Sequence, residues 1–114
     1  MTKLAVNLSM IFTEVPLLER FALAQAAGFK HVEIQFPYEL SIEQIQTQLT
    51  LYDLSLCLIN VPAGDLMTGG NGLAGVPGKE LEFHHALQLA VQYASALKVP
   101  NVNILAGKQP LDAD

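Results

Sequence analysis

Asn7 and Asn60 lie near the ends of short apolar runs. An amide there can hold a substrate hydroxyl or carboxylate through its donor or its acceptor side. Both are substrate-binding candidates, and each could equally cap the following loop through a bond to nearby backbone. Glu33 and Gln35 alternate within Val32-Glu33-Ile34-Gln35-Phe36 and so share one face of a strand. Glu33 is read first as a polar contact to a neighbouring strand and second as a proton-transferring carboxylate. Glu80 and His84 lie four apart, share a helix face and together offer two metal ligands. Two ligands do not make a site, and the adjacent His85 points about 100° away from His84. A solvated helix surface is the preferred reading for all three, so no catalytic and no metal-ligating residue is assigned. Gly64-Asp65 and the run Gly69-Gly70-Asn71-Gly72 suggest a phosphate cradle, but Gly78-Lys79 is followed by Glu80 where a phosphate loop needs Ser or Thr. Asp65 is read as a turn residue. Cys57 is the only cysteine, which rules out an intrachain disulfide or a thiolate cluster, and its apolar neighbours mark it as a small buried hydrophobe.

These side chains need elements to place them. Leu4-Ala-Val-Asn7 reads as a first strand ending near Asn7 or Leu8. Thr13-Glu-Val-Pro16 opens a helix, with Thr13 as cap, Glu14 at the positive end of the dipole and Pro16 in the first turn. Leu17, Leu18, Phe21 and Ala24 form its inner face, and Gly28 is a left-handed stop. Lys30 to Phe36 reads as a second strand, which His31 enters at the end away from a substrate and Pro37 closes. Ser41-Ile-Glu-Gln44 is a capping box for a helix with Ile42, Ile45 and Leu49 inside. Leu54 to Asn60 is a nearly continuous apolar run, as expected of a parallel strand covered on both faces. Between Val61 and Lys79 lie six of the chain's eight glycines, a long loop of the kind that carries function. Phe83, Leu87, Ala90, Val91, Ala94 and Leu97 recur at helical spacing, Pro100 ends that helix, and Asn101 to Ala106 reads as a fourth strand before a polar tail.

Strand and helix alternate throughout, the signature of an α/β fold with a parallel sheet. With 114 residues the chain has room for one domain. Its composition is 51% hydrophobic and 15% charged, rich enough in apolar residues to leave surface seeking a partner. A net charge of −5 provides no basic stripe, which argues against nucleic acid as a partner. Asn7, Ser9 and Glu14 interrupt the N-terminal apolar residues, so neither a leader nor a membrane span is read there and a cytoplasmic location is expected.

Read in order, Asn7-Leu-Ser-Met10, Thr13-Glu-Val-Pro16, Glu19-Arg-Phe21, Ala27-Gly-Phe29, Val32-Glu33, Phe36-Pro-Tyr38, Pro62-Ala-Gly-Asp65 and Pro77-Gly78 resemble the hydroxypyruvate isomerase family. The resemblance implies a xylose-isomerase-like (β/α)8 barrel. Such barrels run to about 250 residues, so residues 1–114 would be the N-terminal part of a single barrel domain, about half of it, stopping after the fourth strand. It further implies conversion of hydroxypyruvate to tartronate semialdehyde, with a similar branch acting on 2-oxo-tetronates, toward which Thr13-Glu-Val-Pro16 leans. A divalent metal, magnesium or manganese, and two acid-base glutamates are implied for the family, and those positions have no counterpart in this chain. The expected partner is a small hydroxy-oxo acid, and the chain by itself is expected to be inactive and to self-associate through an exposed sheet edge.

Overall fold

A computed structural model describes residues 4–62 and 78–104. Four parallel strands, β1 (Ala5–Asn7), β2 (His31–Glu33), β3 (Ser55–Asn60) and β4 (Asn101–Asn103), lie side by side in chain order. Helices α1 (Leu17–Ala26), α2 (Ile42–Leu51) and α3 (Glu80–Leu97) connect them, with a 3-10 turn at Pro37–Glu39 before α2. This is the predicted α/β succession of parallel β/α units, equal in strand number to half of an eight-stranded barrel.

The core forms on one face of the sheet. Val6 and Leu8, Val32 and Ile34, Leu54, Leu56 and Ile59 meet Leu17, Phe21 and Ala24 of α1, Ile45 and Leu49 of α2, and Tyr93 and Leu97 of α3. The second strand is shorter than the run Lys30–Phe36 predicts, because pairing between β2 and β3 slips: Val32 faces Leu56, but Glu33 faces Leu58. Cys57 is the extra residue of this irregularity. Leu56 and Ile59 are buried while Cys57 and Leu58 between them are half-buried, so the apolar run does not alternate as a regular strand would. Cys57 is therefore not the buried residue that composition suggested.

Two further expectations change. Thr13 does not cap α1, which starts at Leu17 with Pro16 at the cap position and no side-chain cap bond. Residues before it are held in a turn instead, with the Val15 N–H bonded to the Phe12 carbonyl. In α3 the buried stripe is Ala86, Ala90, Tyr93 and Leu97, while Val91 is 51% exposed. The spacing was right but the face was turned, because the Tyr93 ring can be buried where its hydroxyl finds a partner.

All three helices end the same way. Gly28, Asp53 and Lys98 adopt positive φ values of 93°, 52° and 57°. The next residue's N–H returns to the last turn: Phe29 to Ala24, Leu54 to Leu49 and Val99 to Ala94. This left-handed stop reverses the chain and delivers an apolar residue just before each following strand. Asp53 and Lys98 pay a steric cost that Gly28 avoids. Lys98→Gly is expected to stabilise the fold by about 0.5–1 kcal/mol and Gly28→Ala to destabilise it by about 1 kcal/mol, read as opposite shifts of the urea midpoint. A Gly28→Ala midpoint equal to the parent's would show that this turn carries no such constraint. The Ser41 capping box is present, with Ser41 Oγ accepting from the Gln44 N–H at 3.0 Å and Gln44 Oε1 from the Ser41 N–H at 2.8 Å.

Candidate functional site

Strand direction selects the site. In parallel β/α proteins the loops at the C-terminal ends of the strands carry the chemistry, and here those ends hold Asn7, Glu33, Asn60 and Asn103. Val6, Val32 and Ile59 point to the helices, so by alternation their neighbours Asn7, Glu33 and Asn60 belong to the opposite face. The register sets Asn7 beside Glu33 and Asn60 beside Asn103. A polar rim thus runs across the four strands.

Backbone and hydroxyl bonds fasten this rim. The Asn7 amide oxygen accepts from the Ser9 N–H at 2.9 Å. Ser9 Oγ accepts in turn from the Gln35 N–H at 2.8 Å. The Gln35 carbonyl accepts from the Asn60 N–H at 2.8 Å, and the Asn103 carbonyl from the Val61 N–H at 2.9 Å. For Asn7 the local loop-capping bond is therefore present, and its oxygen is occupied by Ser9. Contact with a hydroxyl or carboxylate would fall to its NH2 group as donor. Asn60 is 5% exposed, the buried polar residue of the sheet.

Because β2 ends at Glu33, this carboxylate lies at the C-terminal end of its strand, level with Asn7, rather than inside a longer strand as the sequence suggested. His31 lies at the other end of β2, beside Ala5 and Ser55. Its Nδ1 is 3.5 Å from Cys57 Sγ. Both residues help line a concavity with Ser55, Asp53 and Lys98. That is the end of the sheet at which side chains serve stability.

Two residues that sequence reasoning passed over shape the rim. The Tyr38 hydroxyl donates to the Asn60 carbonyl, and its ring stands edge-on to Tyr93 with centroids 5.0 Å apart. Burial, and then the neighbouring Tyr93 hydroxyl, push the Tyr38 phenol above its ordinary range, so it remains a donor. Tyr93 donates to the Leu40 carbonyl at 2.6 Å, tying the 3-10 turn to α3. Arg20 is the second. Its Nε donates to the Val15 carbonyl at 2.9 Å and its Nη1 to the Leu8 carbonyl at 2.7 Å, gripping the loop that follows β1. The motifs Phe36-Pro-Tyr38 and Glu19-Arg-Phe21 contain both residues, but nothing local in either names the carbonyls that the side chains bond.

Glu80, His84 and His85 are all exposed at the start of α3, with the two imidazole centroids 6.5 Å apart. Among the described residues no three His, Cys, Asp or Glu side chains gather to hold a metal ion. The described part of the chain therefore does not fit the divalent metal that the family resemblance implies, and no step is routed through one. Asp65, with Gly64 and the Gly69–Gly72 run, lies outside the described residues, as does the predicted end of the fourth strand beyond Ile104.

No protein-family model matches the chain. Curated relatives do: a 2-oxo-tetronate isomerase of Haemophilus influenzae is 43% identical over 96% of this chain and 43% of its own length. A hydroxypyruvate isomerase of Escherichia coli is 42% identical over 96% of the chain and 43% of its own length. A 2-oxo-tetronate isomerase of Cupriavidus necator is 39% identical over 100% of the chain and 44% of its own length. Among solved structures, an AP endonuclease, family 2, from Brucella melitensis superposes with a TM-score of 0.87 at 41% identity, over 94% of this chain and 42% of that one. The chain spans less than half the length of the relatives it matches. Along nearly all of its residues the chain is similar to proteins named hydroxypyruvate isomerase and 2-oxo-tetronate isomerase.

Proposed function

We propose that this chain supplies part of the substrate-facing rim of an isomerase acting on hydroxypyruvate, and that it is inactive without the remainder of the barrel. The observation that carries the reading is the 42% identity to a hydroxypyruvate isomerase across 96% of the chain. The reaction moves a carbonyl along a carbon chain. A proton beside it must be abstracted, the enediolate oxygen stabilised and a proton returned to the neighbouring carbon. The rim suits the binding side of this task, since Asn7 and Asn60 carry amides able to orient a hydroxyl or carboxylate. Glu33 is the one carboxylate among Asn7, Glu33, Asn60 and Asn103. A single carboxylate falls short of the acid-base pair and divalent metal, magnesium or manganese, that the family resemblance implies; these belong, on this reading, to the rest of the barrel.

A 2-oxo-tetronate is the alternative substrate, favoured by the 43% identity to a protein of that name. The endonuclease name of the structural neighbour suggests another class. Against it stand a net charge of −5 and only six Lys and Arg residues, of which Arg20 is engaged with carbonyls. Phosphate backbones are held through basic contacts, which this surface does not supply. A cytoplasmic location goes with the isomerase reading, and no helix among the described residues is long and apolar enough to cross a membrane.

The test supplies the purified 114-residue polypeptide with magnesium or manganese and either hydroxypyruvate or a 2-oxo-tetronate. Turnover equal to the metal-only control is expected. Adding the portion of the Haemophilus influenzae relative that the chain does not match should raise turnover above that control. Activity from the chain alone would overturn the inert-part reading, and silence from a mixture in which both pieces are folded would overturn the complementing one.

A further inference from the structure

We propose that Asn60 reads the hydroxyl beside the substrate's carbonyl, and that Tyr38 is the positioning residue that aims it. The inference rests on the isomerase reading above and holds for either substrate, since hydroxypyruvate and a 2-oxo-tetronate both carry a hydroxyl on the carbon next to the oxo group. Asn60 closes β3, an inner strand paired with β2 on one side and β4 on the other. Its surroundings therefore depend on neither edge of the sheet. Three bonds hold the backbone there: the Asn60 N–H donates to the Gln35 carbonyl at 2.8 Å, the Val61 N–H donates to the Asn103 carbonyl at 2.9 Å, and the Asn60 carbonyl accepts from the Tyr38 hydroxyl. Of the three, the last comes from a side chain. Tyr38 is itself fixed, its ring standing edge-on to Tyr93, whose own hydroxyl donates to the Leu40 carbonyl at 2.6 Å.

While the backbone of Asn60 is held, its side chain is left for a ligand. The residue is 5% exposed, yet its amide bonds to none of the described residues. No buried side-chain nitrogen or oxygen among the described residues lacks a partner, so the amide atoms reach the open side of the rim. A buried residue with its amide uncovered is shaped to receive one polar group. Asn7 differs, because its amide oxygen is already taken by the Ser9 N–H. An amide donates through its NH2 and accepts through its oxygen, a combination that a hydroxyl answers on both sides. A substrate carboxylate suits the place less well: Glu33 faces Leu58 across the ladder, and Leu58 shares a face of β3 with Asn60. Two negative charges at that separation repel. The hydroxyl end of the substrate therefore belongs at Asn60.

The test uses the nitrogen-15-labelled chain mixed with magnesium and the unlabelled complementing portion of the Haemophilus influenzae relative. Titration with hydroxypyruvate should move the Asn60 side-chain NH2 signals saturably, and pyruvate, which lacks the hydroxyl, should bind about tenfold more weakly, the weight of one hydrogen bond. Asn60→Ala should erase that preference. Tyr38→Phe keeps the ring against Tyr93 and removes the hydroxyl, so it should cut the preference to about threefold or less, and adding it to Asn60→Ala should change nothing further. A tyrosine with a merely structural role would lower the urea midpoint and leave the preference untouched, and that result would overturn the positioning role. Asn60 signals that hydroxypyruvate does not move, or equal affinity of the parent for the two acids, would overturn the contact itself, and neither measurement needs a variant to fold. Preference for the hydroxyl without turnover would sink the isomerase reading and leave this one standing. Turnover with Asn60 unmoved would do the reverse.

Discussion

Phe21→Ala is expected to lower stability by about 3–5 kcal/mol, the usual cost of emptying a fully buried aromatic site. Phe21 is 0% exposed and sits in the central cluster where α1 meets the sheet, alongside Leu8 and Ile34, which are also fully enclosed. Its neighbours belong to regular elements on several sides and cannot collapse into the space without moving a strand or a helix, so both a transfer loss and a cavity are expected. A domain holds only about 5–15 kcal/mol in total, and this sheet has both edges and one face open among the described residues. The substitution should therefore leave little or no cooperative unfolding transition by far-UV circular dichroism. Val91→Ala, at a position 51% exposed on α3, should shift the urea midpoint negligibly. Equal shifts for the two variants would mean that the core is not packed as described.

That contrast also shows what was legible in the sequence. Helical spacing located α3 and its end, but Val91 and Tyr93 are both compatible with an apolar stripe, and only the packed partner decides between them. Tyr93 is inside because its ring meets Tyr38 and its hydroxyl meets the Leu40 carbonyl, a contact spanning 53 positions that no local window contains. The same holds for Cys57. Composition places it in a buried strand, whereas its exposure follows from a register slip against Glu33. Local signals succeeded where the physics is local: the Ser41 capping box and the Gly28 stop are satisfied within a few residues of themselves. Asn7 and Asn60 were legible as strand-end amides, but the link between them was not. It passes through Ser9 and Gln35, and pairing between strands joins the loop after β1 to β2 and β2 to β3.

Arg20→Leu is expected to cost about 2 kcal/mol, and its effect should be concentrated in the loop that follows β1. Hydrogen bonds from a charged donor contribute about 1.5–3 kcal/mol each, but Arg20 is only half-buried and its two bonds are not independent. The planar guanidinium reaches two carbonyls at once, Val15 through Nε and Leu8 through Nη1. Between those anchors the chain must pass through Phe12 at a positive φ of 58°, a conformation a bulky residue adopts only when its surroundings impose it. Leucine preserves the apolar stem that covers the helix surface and removes the grip. Arg20→Lys keeps the charge but replaces the fork with a single ammonium, so it should recover less than half of the loss. Hydrogen exchange should separate a local effect from a global one: amides of residues 9–15 should exchange faster in Arg20→Leu while those of β3 keep the parent's protection relative to global stability. If Arg20→Lys matches the parent in both midpoint and exchange, charge rather than geometry holds the loop. The Asn7–Ser9 turn would then owe its position to the strand pairing alone.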